Sequence, residues 1–143
     1  MDIREFTWDD YAAVRAIWEA VGMWRPAQDS RGPLAVYLAH NPGLFLVATD
    51  PAAGGRVVGA TLGSFDGRRG YLYHVAVDPA YQGRGVGRAL VHAALGRLWR
   101  AGAPKVNLRV NDTNERAIGF YEHLGLHLDR PVLQMSILRP ESE

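Results

Sequence analysis

The chain has no cysteine among its 143 residues. That excludes disulfides, thiolate metal sites and a cysteine nucleophile, and with the last any acyl-cysteine intermediate. Lysine is almost missing too, since every Lys or Arg position except Lys105 is arginine. No apolar run approaches the roughly 18 residues of a membrane-spanning helix, so no membrane partner is expected. Neither sign of charge dominates, with 16 Lys and Arg against 15 Asp and Glu. A nucleic-acid partner, which would want a strongly basic face, is therefore not expected either. No repeat, low-complexity tract or linker interrupts the chain, and its length suits one domain, residues 1–143, that buries about 70% of its unfolded surface. The start, Met1-Asp2-Ile3-Arg4-Glu5-Phe6, reads as an acidic strand rather than a basic leader with an apolar core, so a cytoplasmic location is the expectation.

What the chain does have is glycine in one telling place. Gln82-Gly83-Arg84-Gly85-Val86-Gly87 follows the apolar run Tyr71 to Val77 and precedes a long helical stretch. Three glycines at alternate positions strip side chains from a turn at a helix start, where unpaired N–H groups and a partial positive charge favour phosphate. A phosphorylated cofactor is the implied ligand. A dinucleotide fingerprint fits poorly, because the third glycine comes one residue early and no acid stands near Gly102 to Lys105. A P-loop is excluded by the lack of Gly-Lys-Ser or Gly-Lys-Thr.

A second block runs from Asn111 to Leu126 and places Asn114, Ala117, Ile118 and Tyr121 on one helical face, with Tyr121 about 10 Å along the axis from Asn114. Together the two blocks resemble the GNAT superfamily of acetyl-CoA-dependent N-acetyltransferases. That family's pyrophosphate loop, Gln/Arg-x-x-Gly-x-Gly/Ala, is matched by Gln82, Gly85 and Gly87. Its later block, Asn-x-x-Ala-x-x-x-Tyr-Glu-x-Leu-Gly-Phe, is matched by Asn114, Ala117, Tyr121, Glu122, Leu124 and Gly125, with Leu126 in place of the usual Phe. The element order and the run Val75-Ala76-Val77-Asp78-Pro79 extend the resemblance over nearly the whole chain.

Periodicity predicts the scaffold independently. Strands are expected at Ile3–Phe6, Leu44–Thr49, Val57–Phe65, Tyr71–Val77, Lys105–Val110 and Val132–Leu138, with helices from Thr7 to Val21, Pro33 to His40, Gly85 to Ala101 and Asn114 to Leu124. Met23 to Gly32 reads as a loop. Short turns make the middle strands an antiparallel meander, and the helix between Tyr71–Val77 and Lys105–Val110 makes those two parallel. The fold class expected is α/β, a mixed, mostly antiparallel sheet with one parallel pair, flanked by helices, and the resemblance implies that this is the single-domain GNAT (acyl-CoA N-acyltransferase) fold.

The resemblance implies acetyl-CoA as cosubstrate, with no metal. It puts the pyrophosphate on Gln82, Gly83, Arg84, Gly85, Val86 and Gly87, with Arg84 or Arg88 for phosphate charge and Asn114 also toward the cofactor. The pantetheine arm is expected along the main chain of Val75, Ala76 and Val77. Tyr121 is the expected proton donor to the departing sulfur, a neutral phenol beside a thiol that titrates lower. The reaction implied is direct transfer to a primary amine of a protein, peptide or small metabolite; the alternative is an acyl-CoA sensor that transfers nothing. Many members of the family are dimers, which leaves a homodimer open.

The base is less legible. The glutamate that some members carry on the fifth strand corresponds to Arg109, and the carboxylate or histidine that others carry on the fourth corresponds to Tyr71 and Tyr73. His74 has suitable chemistry, but strict strand alternation places it opposite Tyr71, Tyr73 and Val75, away from the cleft. Tyr71, Tyr73, His74 and a water relay all remain open. His123 and His127 lack a third partner for a metal site. Acceptor choice is expected from Met23, Trp24, Arg25, Gln28 and Asp29 and from Leu128 to Val132, where Trp24 and Arg25 either wall a pocket or simply cover the core.

Overall fold

The computed structural model describes residues 1–130 and 132–141. The chain divides into two compact units, Met1–Arg109 and Val110–Glu143. In the first, strands β1 (Asp2–Glu5), β2 (Phe45–Asp50), β3 (Arg56–Phe65), β4 (Gly70–Val77) and β5 (Val106–Asn107) form one sheet in sequential order. The first three pairings are antiparallel and β4–β5 is parallel. Helices α1 (Tyr11–Ala20), α2 (Pro26–Asp29), α3 (Arg31–His40) and α4 (Val86–Ala101) complete this unit.

Alternation along the strands gives the sheet two apolar faces. Phe45, Val47, Ala60, Leu62 and Ala76 join Phe6, Tyr11, Val14, Ile17, Trp18 and Leu34 in one cluster. Burying each such large side chain is worth about 1.5–3 kcal/mol relative to leaving it in water. Helix α4 covers the opposite face with Val86, Leu90, Val91, Ala94 and Leu98, all buried. It approaches β3 so closely at Gly59 that a Cβ there would stand 3.0 Å from Leu90 Cδ1 and 3.1 Å from Val86 Cγ1.

Thr7 caps the chain before α1, its N–H donating to Asp10 Oδ2 at 2.8 Å. A 3-10 turn over Trp8–Asp10 comes first, so the α-helix begins only at Tyr11. Arg4 reaches the same carboxylate with both terminal nitrogens, at 2.8 Å each. Two further departures bear on the site. The segment expected as a loop contains α2, started by Pro26 in its first turn and closed by Asp29, whose carboxylate accepts the Arg25 N–H at 2.8 Å. Strand β5 is two residues long rather than six. Among the described residues it pairs with β4 only at Gly70↔Val106 and Tyr71↔Asn107, so β4 runs on to Val77 with no strand laddered to that edge.

A bulge is a further departure. Ala60 pairs with Ala76 and Leu62 with Tyr73, which leaves Thr61 opposite both His74 and Val75. One extra residue on β4 breaks the two-residue alternation at that point.

In the second unit, helix α5 (Glu115–His123) is capped by Asn114, whose Oδ1 accepts the Ala117 N–H at 3.1 Å. It ends before Gly125 at φ 97°. The strand expected over Val132–Leu138 is not formed. Leu133, Met135 and Ile137 are more than nine-tenths exposed, and a β-prone sequence becomes a strand only where a partner strand supplies its ladder.

Candidate active site

The glycyl loop is pinned at its start. Asp78 Oδ1 accepts the Ala80 N–H at 2.9 Å and its Oδ2 accepts from Arg56 Nη2 at 2.8 Å, while Tyr81 donates its hydroxyl to Asp50 Oδ2 at 2.8 Å. Gln82 Nε2 reaches back to the Val77 carbonyl at 3.3 Å. From there Gly83 and Gly85 take φ of 78° and 80°, the left-handed region that costs a residue with a Cβ about 1–2 kcal/mol. Nothing lies within 4 Å of where a Cβ would stand at either position. Protein packing therefore does not demand glycine there; the backbone conformation does.

Gly85 caps the 16-residue α4. Among the described residues, the N–H groups of Gly83 to Arg88 have no acceptor. Unpaired donors at the head of a long helix, bordered by open space, suit a phosphate or diphosphate. Arg84 lies over the Tyr81 ring at 4.9 Å, and Arg88 is exposed on the first turn. Ahead of the loop, Val75 and Val77 sit half-buried on the part of β4 beyond that pairing with β5, with Ala76 buried between them.

A cleft of about 130 Å³ is lined by Tyr71, Leu72, Tyr73, His74 and Arg109. The two tyrosine rings stack at 6.0 Å with 17° between their planes. His74 does not lie opposite them, as simple alternation requires, because the bulge turns it to their side. Its φ is 49°, and it is the only non-glycine residue with positive φ among those described. Such a conformation costs on the order of 1–3 kcal/mol and persists only when its surroundings hold it. Here Trp18 meets the imidazole edge-on at 5.1 Å and the buried Asp29 carboxylate takes Nε2 at 2.8 Å.

Elsewhere in the segment from Met23 to Asp29, Gln28 is exposed, and Met23, Trp24 and Arg25 are tied to the protein itself. Met23 and Trp24 pack on the core, Arg15 stacks over Trp24 at 4.3 Å, and Arg25 Nη1 is spent on the carbonyls of Gly22 and Trp24. Asp29 is the residue of this group that reaches the cleft wall. A larger cavity of about 400 Å³, beside His40, Asn41 and Phe65, lies at the other end of β3 and β4 from the glycyl loop.

In the second unit, Asn114 is exposed at the head of α5, its side-chain oxygen engaged by the cap. Tyr121 sits two turns along, in edge contact with Phe120 at 5.0 Å. Burial alone pushes its phenol up to about 12. The hydroxyl has no hydrogen-bond partner among the described residues and stays protonated through the neutral range. No cluster of three metal-ligating side chains occurs among the described residues, nor does a helix long and apolar enough to cross a membrane.

A mixed sheet whose parallel pair parts beside a glycine-headed helix is the architecture of an acyltransferase. The model of the acetyltransferase (GNAT) family matches residues 2–126, and the chain belongs to that family. It is 40% identical over 124 residues to an acetyltransferase of Pectobacterium atrosepticum, covering 87% of this chain and 86% of that protein. Among solved structures it is similar to Ard1 from Thermoplasma volcanium, with TM-score 0.75 and 29% identity over 87% of this chain and 80% of that one. The PaiA N-acetyltransferase of Thermoplasma acidophilum, solved in complex with coenzyme A, shares the fold at TM-score 0.76 and 17% identity, over 92% of each chain.

Sequence reasoning missed the pairing of His74 with Asp29. Forty-five positions separate them, and no local pattern announces a bulge. The faint available signal was Asp29 four residues after Arg25 beyond a proline, which permits a short helix.

Proposed function

We propose that the protein transfers acetyl from acetyl-CoA directly to a primary amine of a peptide, protein or small metabolite, with no covalent enzyme intermediate. The observation that carries this reading is the row of unpaired N–H groups from Gly83 to Arg88, aimed from a helix start beside the unladdered edge of β4. In this reading Gln82, Gly83, Arg84, Gly85, Val86 and Gly87 hold the cofactor's diphosphate, with Arg84 and Arg88 answering its charge. The main chain of Val75, Ala76 and Val77 runs beside the pantetheine arm, and Asn114 belongs to the cofactor side. Acetyl-CoA, when bound, supplies an acetyl group activated as a thioester.

The chain's own residues do the rest. A main-chain N–H of Val75 or Val77 donates to the thioester oxygen as charge develops there. Tyr121 donates its proton to the leaving sulfur; the burial that keeps the phenol neutral keeps that proton available. The stacked Tyr71 and Tyr73 and the Arg109 guanidinium line the space for the acceptor. The lack of cysteine supports direct attack.

Calorimetry with coenzyme A and acetyl-CoA, followed by thiol release across a panel of amino acids, polyamines and peptides, tests this. The expected result is one cofactor site per chain and amine-dependent thiol release. Cofactor uptake with no transfer to any amine would leave an acyl-CoA sensor instead, and no uptake would overturn the reading.

A further inference from the structure

We propose that His74, held through Nε2 by the buried carboxylate of Asp29 at the β4 bulge, is the base that takes the proton from the acceptor amine. This rests on the reading of the site as an amine acetyltransferase. Four features converge on it. Of the residues lining the cleft, Tyr71, Leu72, Tyr73, His74 and Arg109, only the neutral imidazole offers a ring-nitrogen lone pair to take a proton; a guanidinium has no acceptor and a phenol already holds its proton. It is accessible, with 23% of its side chain exposed. It occupies a backbone conformation that no other described non-glycine residue adopts, at a point where an extra residue turns it into the cleft. And it is oriented: Asp29 is itself fixed, its Oδ2 accepting the Arg25 N–H and its carbonyl accepting the Tyr11 hydroxyl.

A carboxylate on Nε2 keeps the hydrogen on that nitrogen and leaves the Nδ1 lone pair as the acceptor. Asp29 is then a positioning residue, acting through His74. The imidazole meets Asp29 and Trp18 and shares its cleft with Tyr71, Tyr73 and Arg109; Arg25 and Tyr11 touch Asp29 from its other sides, and Tyr37 interacts with Tyr73.

The step balances as follows. The amine arrives as an ammonium ion; one N–H bond breaks, the proton passes to Nδ1 and the electron pair stays on nitrogen. That pair forms the N–C bond as the C–S bond breaks, and the sulfur takes its proton from Tyr121. A second proton from the acylated nitrogen restores the phenol through solvent. The imidazolium releases its own proton to water, one per acetyl group transferred.

Three variants test the assignment: His74→Asn and His74→Gly, which both tolerate the left-handed backbone, and Asp29→Asn, which keeps an acceptor for Arg25. With the best amine of the panel, His74→Asn should lower kcat roughly 100-fold or more, the range for loss of a positioned base. The acidic limb of its kcat/KM profile should vanish and coenzyme A affinity should hold. Added imidazole should restore turnover to His74→Gly. In 15N spectra of the free protein at high pH, wild-type His74 should carry hydrogen on Nε2 with Nδ1 bare, and Asp29→Asn, whose uncharged oxygen holds Nε2 less firmly than the carboxylate, should raise the share of hydrogen on Nδ1. A turnover change under about threefold, with the acidic limb intact and no imidazole rescue, overturns the assignment while transfer by the wild type stands. If the wild type takes up no cofactor and acetylates nothing, the functional reading fails and this assignment with it.

Discussion

Gly85→Ala separates the conformational role of the glycyl loop from its binding role. Gly85 has φ 80° with nothing within 4 Å of its missing Cβ, so alanine meets no clash. It costs only the left-handed conformation, about 1–2 kcal/mol, reduced by a few tenths through the lower entropy of the unfolded chain. The net, about 1 kcal/mol, lowers Tm by about 3–5 °C for a chain of this size. The added methyl stands beside the free N–H groups at the head of α4. Loss of one hydrogen bond to a charged phosphate, worth about 1.5–3 kcal/mol, weakens coenzyme A binding on the order of ten- to hundredfold. Gly54 and Gly67 supply the controls, since both have positive φ and open space but lie in the turns flanking β3. Gly54→Ala and Gly67→Ala should lose the same stability and keep full affinity. Differential scanning calorimetry and titration calorimetry read the two effects separately. If Gly85→Ala loses stability like the controls yet binds coenzyme A like the wild type, the loop is not the diphosphate site.

Tyr121→Phe should cut turnover on the order of 100-fold and leave coenzyme A affinity unchanged, whereas Phe120→Leu should barely change either; equal turnover in Tyr121→Phe removes the phenol from the mechanism. Because burial holds that phenol protonated to about 12, Tyr121 should contribute no alkaline limb to the rate between pH 8 and 11, and a pH profile in wild type and variant checks this. Asp10 is held below the usual carboxylate range, first by its hydrogen bonds to Arg4 and also by the Thr7 N–H. Its stabilising contribution is thus present above the unfolded carboxylate value and is lost as pH falls through the lower folded one. The stability gap between wild type and Asp10→Asn in urea melts should be open at pH 7 and close on acidification; a gap independent of pH refutes the linkage.

Much of the architecture was legible because its causes are local. The cap of Thr7 with Asp10, the turns at Asp66-Gly67 and Gly54-Gly55, the α4 apolar stripe and the glycines at both its ends each act within a few residues. The parallel β4–β5 pair followed from chain length between strands. The glycyl loop was legible for the same reason, since a left-handed helix cap is written in one or two residues. Less could be read at β5 and at Val132–Leu138. Composition marked both as strands, but a ladder needs a partner in register, which neither segment encodes by itself.

The sequence alone determined the family, the order of β1 to β5 and of the longer helices, and a helix start with donors free for phosphate. It could do so because turns, caps and periodicities are properties of neighbours along the chain. Tertiary structure decided which side of β4 carries His74. A single residue opposite two, Thr61 against His74 and Val75, reverses the alternation there. That choice, together with Asp29 arriving from α2 to hold the imidazole, depends on contacts between segments far apart in the chain, and only packing brings them within 2.8 Å.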